Sequence, residues 1–108
     1  MTTLQDKLVR IAGAYDHARA KHPVFADDLT PVPGPIAARD LVILHRLNAS
    51  RPFFALNLLA EEVAEIADAW THGQGEDALR EVYDAIAVLL RTADMIEERT
   101  TGRAGGAR

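Results

Sequence analysis

Apolar residues recur every three or four positions through most of the chain, and no stretch alternates regularly between apolar and polar residues. A spacing of three to four indicates amphipathic helices, whereas strict alternation would indicate strands. In the first predicted helix, residues 3–22, Leu4, Leu8 and Ile11 share one face. Pro23 ends this helix, because the residue before a proline avoids the α conformation. The pattern therefore predicts an all-α fold.

Three further helices follow a loop at residues 23–35, which holds four of the five prolines. These three helices are predicted over about 35–48, 52–71 and 76–98. The bounds follow from the prolines, which are suited to a first helical turn, and from the glycines, which are suited to a helix end. Residues 100–108 contain no apolar side chain larger than alanine, so we expect this tail to be disordered.

The third and fourth predicted helices are joined by a short turn that contains Gly73 and Gly75. A short connection makes consecutive helices antiparallel neighbours, and four such helices form a bundle. The chain of 108 residues is predicted to form one domain over residues 1–99, followed by the tail. A domain of this size buries a modest core, so self-association is a natural supplement.

Composition narrows the classes of function. The formal net charge is −4, which disfavours binding to a nucleic acid polymer. The chain has no cysteine, which excludes disulfides and thiolate metal sites. The N-terminal segment is charged and periodic, unlike a signal peptide, and no apolar run is long enough to cross a bilayer. We expect a cytoplasmic protein without a membrane partner.

Acidic residues interrupt the apolar faces of the third and fourth helices. Glu62 and Glu65 are three positions apart, as are Glu81 and Asp84, so each pair shares a helix face. Both pairs lie on or beside the apolar faces through which the two helices should pack. Glu61 adjoins the first pair. We expect all five carboxylates to form one acidic site.

Carboxylates crowded into a low-dielectric groove repel one another and lose hydration. Protonation, basic partners or a bound divalent cation would offset that cost, and neither helix carries Lys or Arg within the patch. Oxygen-only ligands select hard cations, Mg²⁺ first and Mn²⁺ as a possibility. A di-iron site would require Glu-x-x-His, which neither pair provides. Ordinary solvated acidic residues are the alternative, and we favour it for either pair taken alone.

The string EEVAE at residues 61–65, followed after fifteen residues by EVYD at 81–84, resembles the EExxE…ExxD motif of the MazG-like all-α nucleotide pyrophosphohydrolases. The surrounding segments NLLAEEVAEIADAW and LREVYDAIAVLLRTADMI look like the two central helices of that superfamily. The stretch AYDHARAKHPVF resembles its opening segment. The resemblance covers most of residues 10–98 and implies a four-helix MazG-like bundle.

The resemblance also implies Mg²⁺-dependent hydrolysis of a nucleoside triphosphate to the monophosphate and pyrophosphate, in nucleotide pool sanitation or balance. It assigns metal binding to Glu62, Glu65, Glu81 and Asp84, and it gives Glu61 a catalytic role in orienting water rather than a place on the metal. It further implies a homodimer or homotetramer. The apolar run LVILHRL of the second helix is a candidate interface, or part of the protomer's own core.

Four residues are candidates for substrate binding. Lys21 and Arg91 are placed to meet phosphate, and Trp70 and Asn57 to contact the base or ribose. Each has an ordinary alternative: a solvated cation, an aromatic that packs in the core, or a polar residue on the back of a helix. His45 carries no signal that separates it from ordinary surface histidines.

Two alternatives to an enzyme remain open. One is a non-catalytic nucleotide- or metal-binding module of the same fold. The other is a helical interaction protein whose acidic residues only aid solubility. In that case a divalent metal ion should not stabilise the folded protein. The complete set of five acidic residues favours the enzyme. The base and sugar of the substrate are not indicated by the sequence.

Overall fold

The computed structural model of the chain describes residues 2–29 and 34–106. Within these ranges every regular element is an α-helix. The four helices are α1 (Leu4–Lys21), α2 (Gly34–Leu47), α3 (Ala55–Thr71) and α4 (Gly75–Gly106). The predicted all-α fold is therefore confirmed, and the part of the predicted proline-rich loop at residues 30–33 lies outside the described residues.

Helix α1 begins at a complete capping box. The Thr3 hydroxyl accepts a hydrogen bond from the Asp6 backbone N–H, and the Asp6 carboxylate accepts one from the Thr3 backbone N–H. These two bonds satisfy N–H groups that a helix start otherwise leaves unpaired. The helix ends at Lys21, two residues before Pro23, as the proline predicts.

Helix α2 contains Pro35 as its second residue, in agreement with the predicted position in a first turn. Helix α3 begins three residues later than predicted, at Ala55 rather than Pro52. Phe54 has extended backbone angles (φ −115°, ψ 126°), so it precedes the helix. Proline is compatible with a first helical turn but does not require one, and here it belongs to the connection between α2 and α3.

Helix α3 ends in the Schellman arrangement of hydrogen bonds, in which Gly73 N–H donates to Trp70 O and Gln74 N–H to Ala69 O. Gly73 has a φ of +72°, a left-handed conformation that glycine adopts without steric cost. The prediction that glycine closes this helix is therefore confirmed. The next helix begins directly afterwards, at Gly75.

Helix α4 is longer than the sequence analysis predicts. It continues past Glu98 to Gly106, so the predicted helix end at Glu98 is wrong. Residues 100–106 include three glycines and two threonines, which have low helix propensity, so the extension is not a local preference of this segment. It continues a helix that is already nucleated. Residues 107 and 108 lie outside the described residues, and the division into a domain over 1–99 and a tail stays a prediction.

The chain forms two compact units. The first contains residues up to Asp28 together with those from Glu97 onwards, and the second contains Leu29–Ile96. In the first unit the Thr2 backbone N–H donates to Glu97 Oε1 at 2.7 Å, and Lys7 Nζ donates to Thr2 O at 2.8 Å. The second unit contains α2, α3 and most of α4.

Within the second unit α2 packs against α3. The buried hydrophobic side chains of this unit are small, namely those of Ala69, Ala78 and Ala85. Among the described residues no large hydrophobic side chain is fully buried, and many large apolar side chains are exposed. No helix in the described part of the chain has the length and apolar character needed to cross a bilayer.

Candidate metal centre

Carboxylates of α3 and α4 meet between the two helices. One oxygen each of Glu62, Glu81 and Asp84 lies within 4.8 Å of the other two. Glu65, which lies about one turn after Glu62 on α3, also contacts Glu81. Because Glu65 contacts Glu81 while Glu62 reaches on to Asp84, the two helices run antiparallel, which confirms the predicted arrangement.

The buried alanines explain how these carboxylates come to be partly removed from water. On α3, Glu62, Glu65 and Ala69 follow a spacing of three and four residues and therefore share one face. On α4, Ala78, Glu81 and Ala85 do the same. The buried alanines show that these are the packed faces, and their small side chains allow close approach of the backbones. Glu62, Glu65 and Glu81 thus lie on the contact faces and are half-buried, whereas Asp84 is exposed at the border of its face.

The electrostatic cost of this placement falls on Glu62 and Glu65. Burial, together with the neighbouring carboxyls of Glu81 and Asp84, raises the pKa of Glu62 to about 7. Burial likewise raises the pKa of Glu65 to about 8, again with a contribution from Glu81. Both shifts have the sign expected when carboxylates are crowded together and partly removed from water.

One oxygen of the cluster has no partner. Glu62 Oε2 is buried and forms no hydrogen bond with any described residue. Within the described part of the chain, no Lys or Arg forms an ion pair with the five predicted site carboxylates. Arg80, the residue before Glu81, pairs instead with Asp77 at 2.7 Å. A buried, unpartnered carboxylate oxygen fits a position for a cation.

A second group of donors lies beside this cluster, between α2 and α3. His45 Nε2 is 3.5 Å from Glu65 Oε1 and 4.0 Å from Glu61 Oε2. Asn48 Nδ2 donates hydrogen bonds to Glu61 Oε1 and to the backbone oxygen of Asn57, each at 3.1 Å. Glu61 therefore lies on the α2 side of the carboxylates, and Glu65 lies between the two groups.

Sequence reasoning missed the contribution of α2. His45 was indistinguishable from a surface histidine, and Asn48 marked only a helix end. A signal was present in the helix phase, because His45 and Asn48 are three residues apart on the side that includes the half-buried Leu41 and Leu44. The missing information was which neighbouring helix this side faces, and helical periodicity does not supply it.

The four predicted substrate-binding residues are distributed over both units. Asn57 is half-buried in α3, where its backbone oxygen accepts from Asn48. Trp70 is 45% exposed near the end of α3, and Arg91 is exposed on α4, two turns after Asp84. Lys21 is exposed at the end of α1 and belongs to the first unit, whereas the carboxylate cluster belongs to the second. Their substrate-binding roles stay predictions.

The fold and the cluster together define an all-α protein with converging carboxylates between two antiparallel helices. Such an oxygen-rich group can bind a hard divalent cation or can hold protons at neutral pH. A comparison with protein-family models finds no match to this chain, and comparisons with curated proteins and with solved structures find none either.

Proposed function

We propose that this protein is a Mg²⁺-dependent nucleoside triphosphate pyrophosphohydrolase of the MazG-like type. It would hydrolyse a nucleoside or deoxynucleoside triphosphate to the monophosphate and pyrophosphate. The observation that carries the proposal is the buried, unpartnered Glu62 Oε2 within a group of carboxylates. The motif resemblance at residues 61–65 and 81–84 supplies the reaction class.

Glu62, Glu81 and Asp84 would hold the cation, with Glu65 adjoining them. All are oxygen donors, which suits Mg²⁺ and, as a second choice, Mn²⁺. Bound there, the ion supplies neutralisation of phosphate oxygens and a water of lowered pKa. Partial burial and the neighbouring carboxyls raise the pKa of Glu62 and that of Glu65, and a divalent cation would offset the repulsion between these groups.

Glu61 would orient the attacking water and accept its proton. Asn48 holds one Glu61 oxygen by a hydrogen bond of 3.1 Å, so the carboxylate has a preferred orientation. A fixed acceptor near the metal ligands suits general-base chemistry. The hydrolysis adds water across the anhydride between the α- and β-phosphates, so that the two products are the monophosphate and pyrophosphate.

The protein would act as a homodimer or homotetramer. Helix α2 packs against α3, yet Val42, Ile43 and Leu47 on this helix are 51%, 49% and 56% exposed. Apolar side chains in such a group favour contact with a second protein surface. The outer side of the run LVILHRL would thus form the expected interface with a second subunit. Its inner side would pack within the protomer.

The decisive experiment is a panel of nucleoside and deoxynucleoside triphosphates with Mg²⁺, scored for pyrophosphate release. Glu62→Ala and Asp84→Ala should lower the rate at least about 100-fold, because each removes a proposed metal ligand. Glu76→Gln, which changes an exposed carboxylate at the start of α4, is the matched control. Chelation of the metal should abolish activity.

Two results would contradict the enzyme. One is a wild-type protein that is inert on the whole panel, and the other is full activity in both alanine variants. An inert protein that still binds a triphosphate with Mg²⁺ would support the non-catalytic binding module. A protein that binds neither would leave the helical interaction protein.

A further inference from the structure

The group formed by His45, Glu61 and Glu65 differs in chemistry from the cluster between α3 and α4. It combines an imidazole nitrogen from α2 with two carboxylates from α3, and one donor atom of each lies within 4.8 Å of the others. The cluster of Glu62, Glu81 and Asp84 offers oxygen alone. Imidazole nitrogen suits first-row transition-metal ions, whereas oxygen-only sites suit Mg²⁺.

The separations in this group are those of ligands around an ion. His45 Nε2 lies 3.5 Å from Glu65 Oε1 and 4.0 Å from Glu61 Oε2. Both distances exceed the ordinary range of about 2.7–3.2 Å for a hydrogen bond. Two ligands at about 2.1 Å from a tetrahedral Zn²⁺ lie about 3.4 Å apart. The 3.5 Å separation between His45 and Glu65 matches this value, and the same two atoms are also within reach of a long hydrogen bond. The 4.0 Å separation between His45 and Glu61 would have to shorten slightly around such an ion.

The remaining contacts leave the donors free for this role. Asn48 donates to Glu61 Oε1, whereas Oε2 is the oxygen directed toward His45. Glu65 has two oxygens, so it can contribute one to His45 and the other to the neighbouring cluster. The His45 side chain is 56% exposed, so solvent can supply further ligands and the ion can enter.

We propose that His45, Glu61 and Glu65 form a second cation site, which binds a divalent transition-metal ion such as Zn²⁺ or Co²⁺. The site joins α2 to α3 and lies next to the oxygen-only cluster. Binding of this ion requires only the three donors and their geometry, so it does not depend on the proposed hydrolysis. An ion on Glu61 Oε2 would compete with the proton-accepting role proposed for Glu61 and would therefore inhibit the hydrolysis.

The test is a titration of the full chain with Co²⁺ in saturating Mg²⁺, followed by visible absorption and calorimetry. Wild-type protein should bind Co²⁺ and develop the absorption of a nitrogen-ligated ion. His45→Ala should weaken binding by at least about 10- to 100-fold, because it removes the nitrogen donor. His72→Ala is the matched control, since His72 lies 3.5 Å from the single carboxylate of Asp68.

Circular dichroism of each variant shows whether the helices are retained. A second measurement needs no variant: the ring nitrogen resonances of His45 should shift when Zn²⁺ is added to wild-type protein. Absence of Co²⁺ binding, equal binding by His45→Ala, or an unmoved His45 resonance would each overturn the proposal.

The outcome is separable from that of the proposed function. If the protein does not bind Co²⁺ but still shows Mg²⁺-dependent hydrolysis, only the proposal of the second site fails. If the protein binds Co²⁺ as expected but does not hydrolyse any triphosphate, only the proposed enzymatic function fails.

Discussion

Asn48 Nδ2 donates a hydrogen bond of 3.1 Å to Glu61 Oε1, which connects the C-terminal end of α2 to the first carboxylate of the acidic motif on α3. The same nitrogen donates to the backbone oxygen of Asn57, also at 3.1 Å. One amide side chain thus fixes both the junction between the two helices and the orientation of Glu61.

Replacement of Asn48 by alanine should lower the free energy of unfolding by roughly 1–3 kcal/mol, because two partly buried acceptors lose their donor. Urea denaturation with a linear extrapolation measures this change. Ser50→Ala, an exposed substitution two residues later, should have little effect. Equal stability of the two variants would show that the Asn48 hydrogen bonds do not stabilise the junction.

Mg²⁺ should stabilise the folded protein. At a concentration ten times the dissociation constant, binding contributes about 1.4 kcal/mol, which corresponds to an increase in Tm of about 6–11 °C for a domain of this size. Glu62→Gln and Asp84→Asn should remove most of this increase, and Glu76→Gln should retain it. A Tm of the wild-type protein that does not change up to millimolar Mg²⁺ would argue against the metal centre.

The metal-free protein should lose stability as the pH rises toward 8. The pKa of Glu62 is raised in the fold from 4.5 to about 7, and that of Glu65 from 4.5 to about 8. The folded state therefore binds protons more tightly than the unfolded state does. This contribution is complete below about pH 4.5 and is lost as the pH passes through the folded values.

Thermal melts between pH 5 and pH 8 in chelator measure this loss, which should amount to several degrees. The double variant Glu62→Gln/Glu65→Gln should show a flatter dependence than wild type, whereas Glu98→Gln should follow wild type. Addition of Mg²⁺ at pH 8 should restore stability, because the cation replaces the protons. An equally steep decline in the double variant would assign the pH dependence to other groups.

A charge on the outer side of α2 should disrupt self-association. Ile43 is 49% exposed on a helix whose other side packs against α3, so Ile43→Glu should leave the protomer folded and shift the mass toward a monomer. Light scattering after size-exclusion chromatography measures the mass. Arg46→Glu, at an exposed polar position of the same helix, is the control. A wild-type monomer at all concentrations would contradict the proposed oligomer.

Local sequence signals predicted most of the secondary structure. Pro23 and Gly73 act through their own backbone conformations, so the helix ends near them could be read directly. The boundaries that were predicted wrongly are the start of α3 at Pro52 and the end of α4 at Glu98. Proline permits a helix to start without requiring it, and no proline or glycine directly follows Glu98 to end the helix. At those positions several boundaries have similar local free energies, and contacts elsewhere in the protein select among them.

The sequence by itself determined the four helices and the faces that their side chains share, because the helical period is a local property of the backbone. It thereby paired Glu62 with Glu65 and Glu81 with Asp84, and the short turn after α3 made the two pairs neighbours. Only the tertiary structure decided that α2 lies against α3 and brings His45 to Glu65. The choice of a packing partner depends on contacts between residues distant in the chain, and helical periodicity does not encode it.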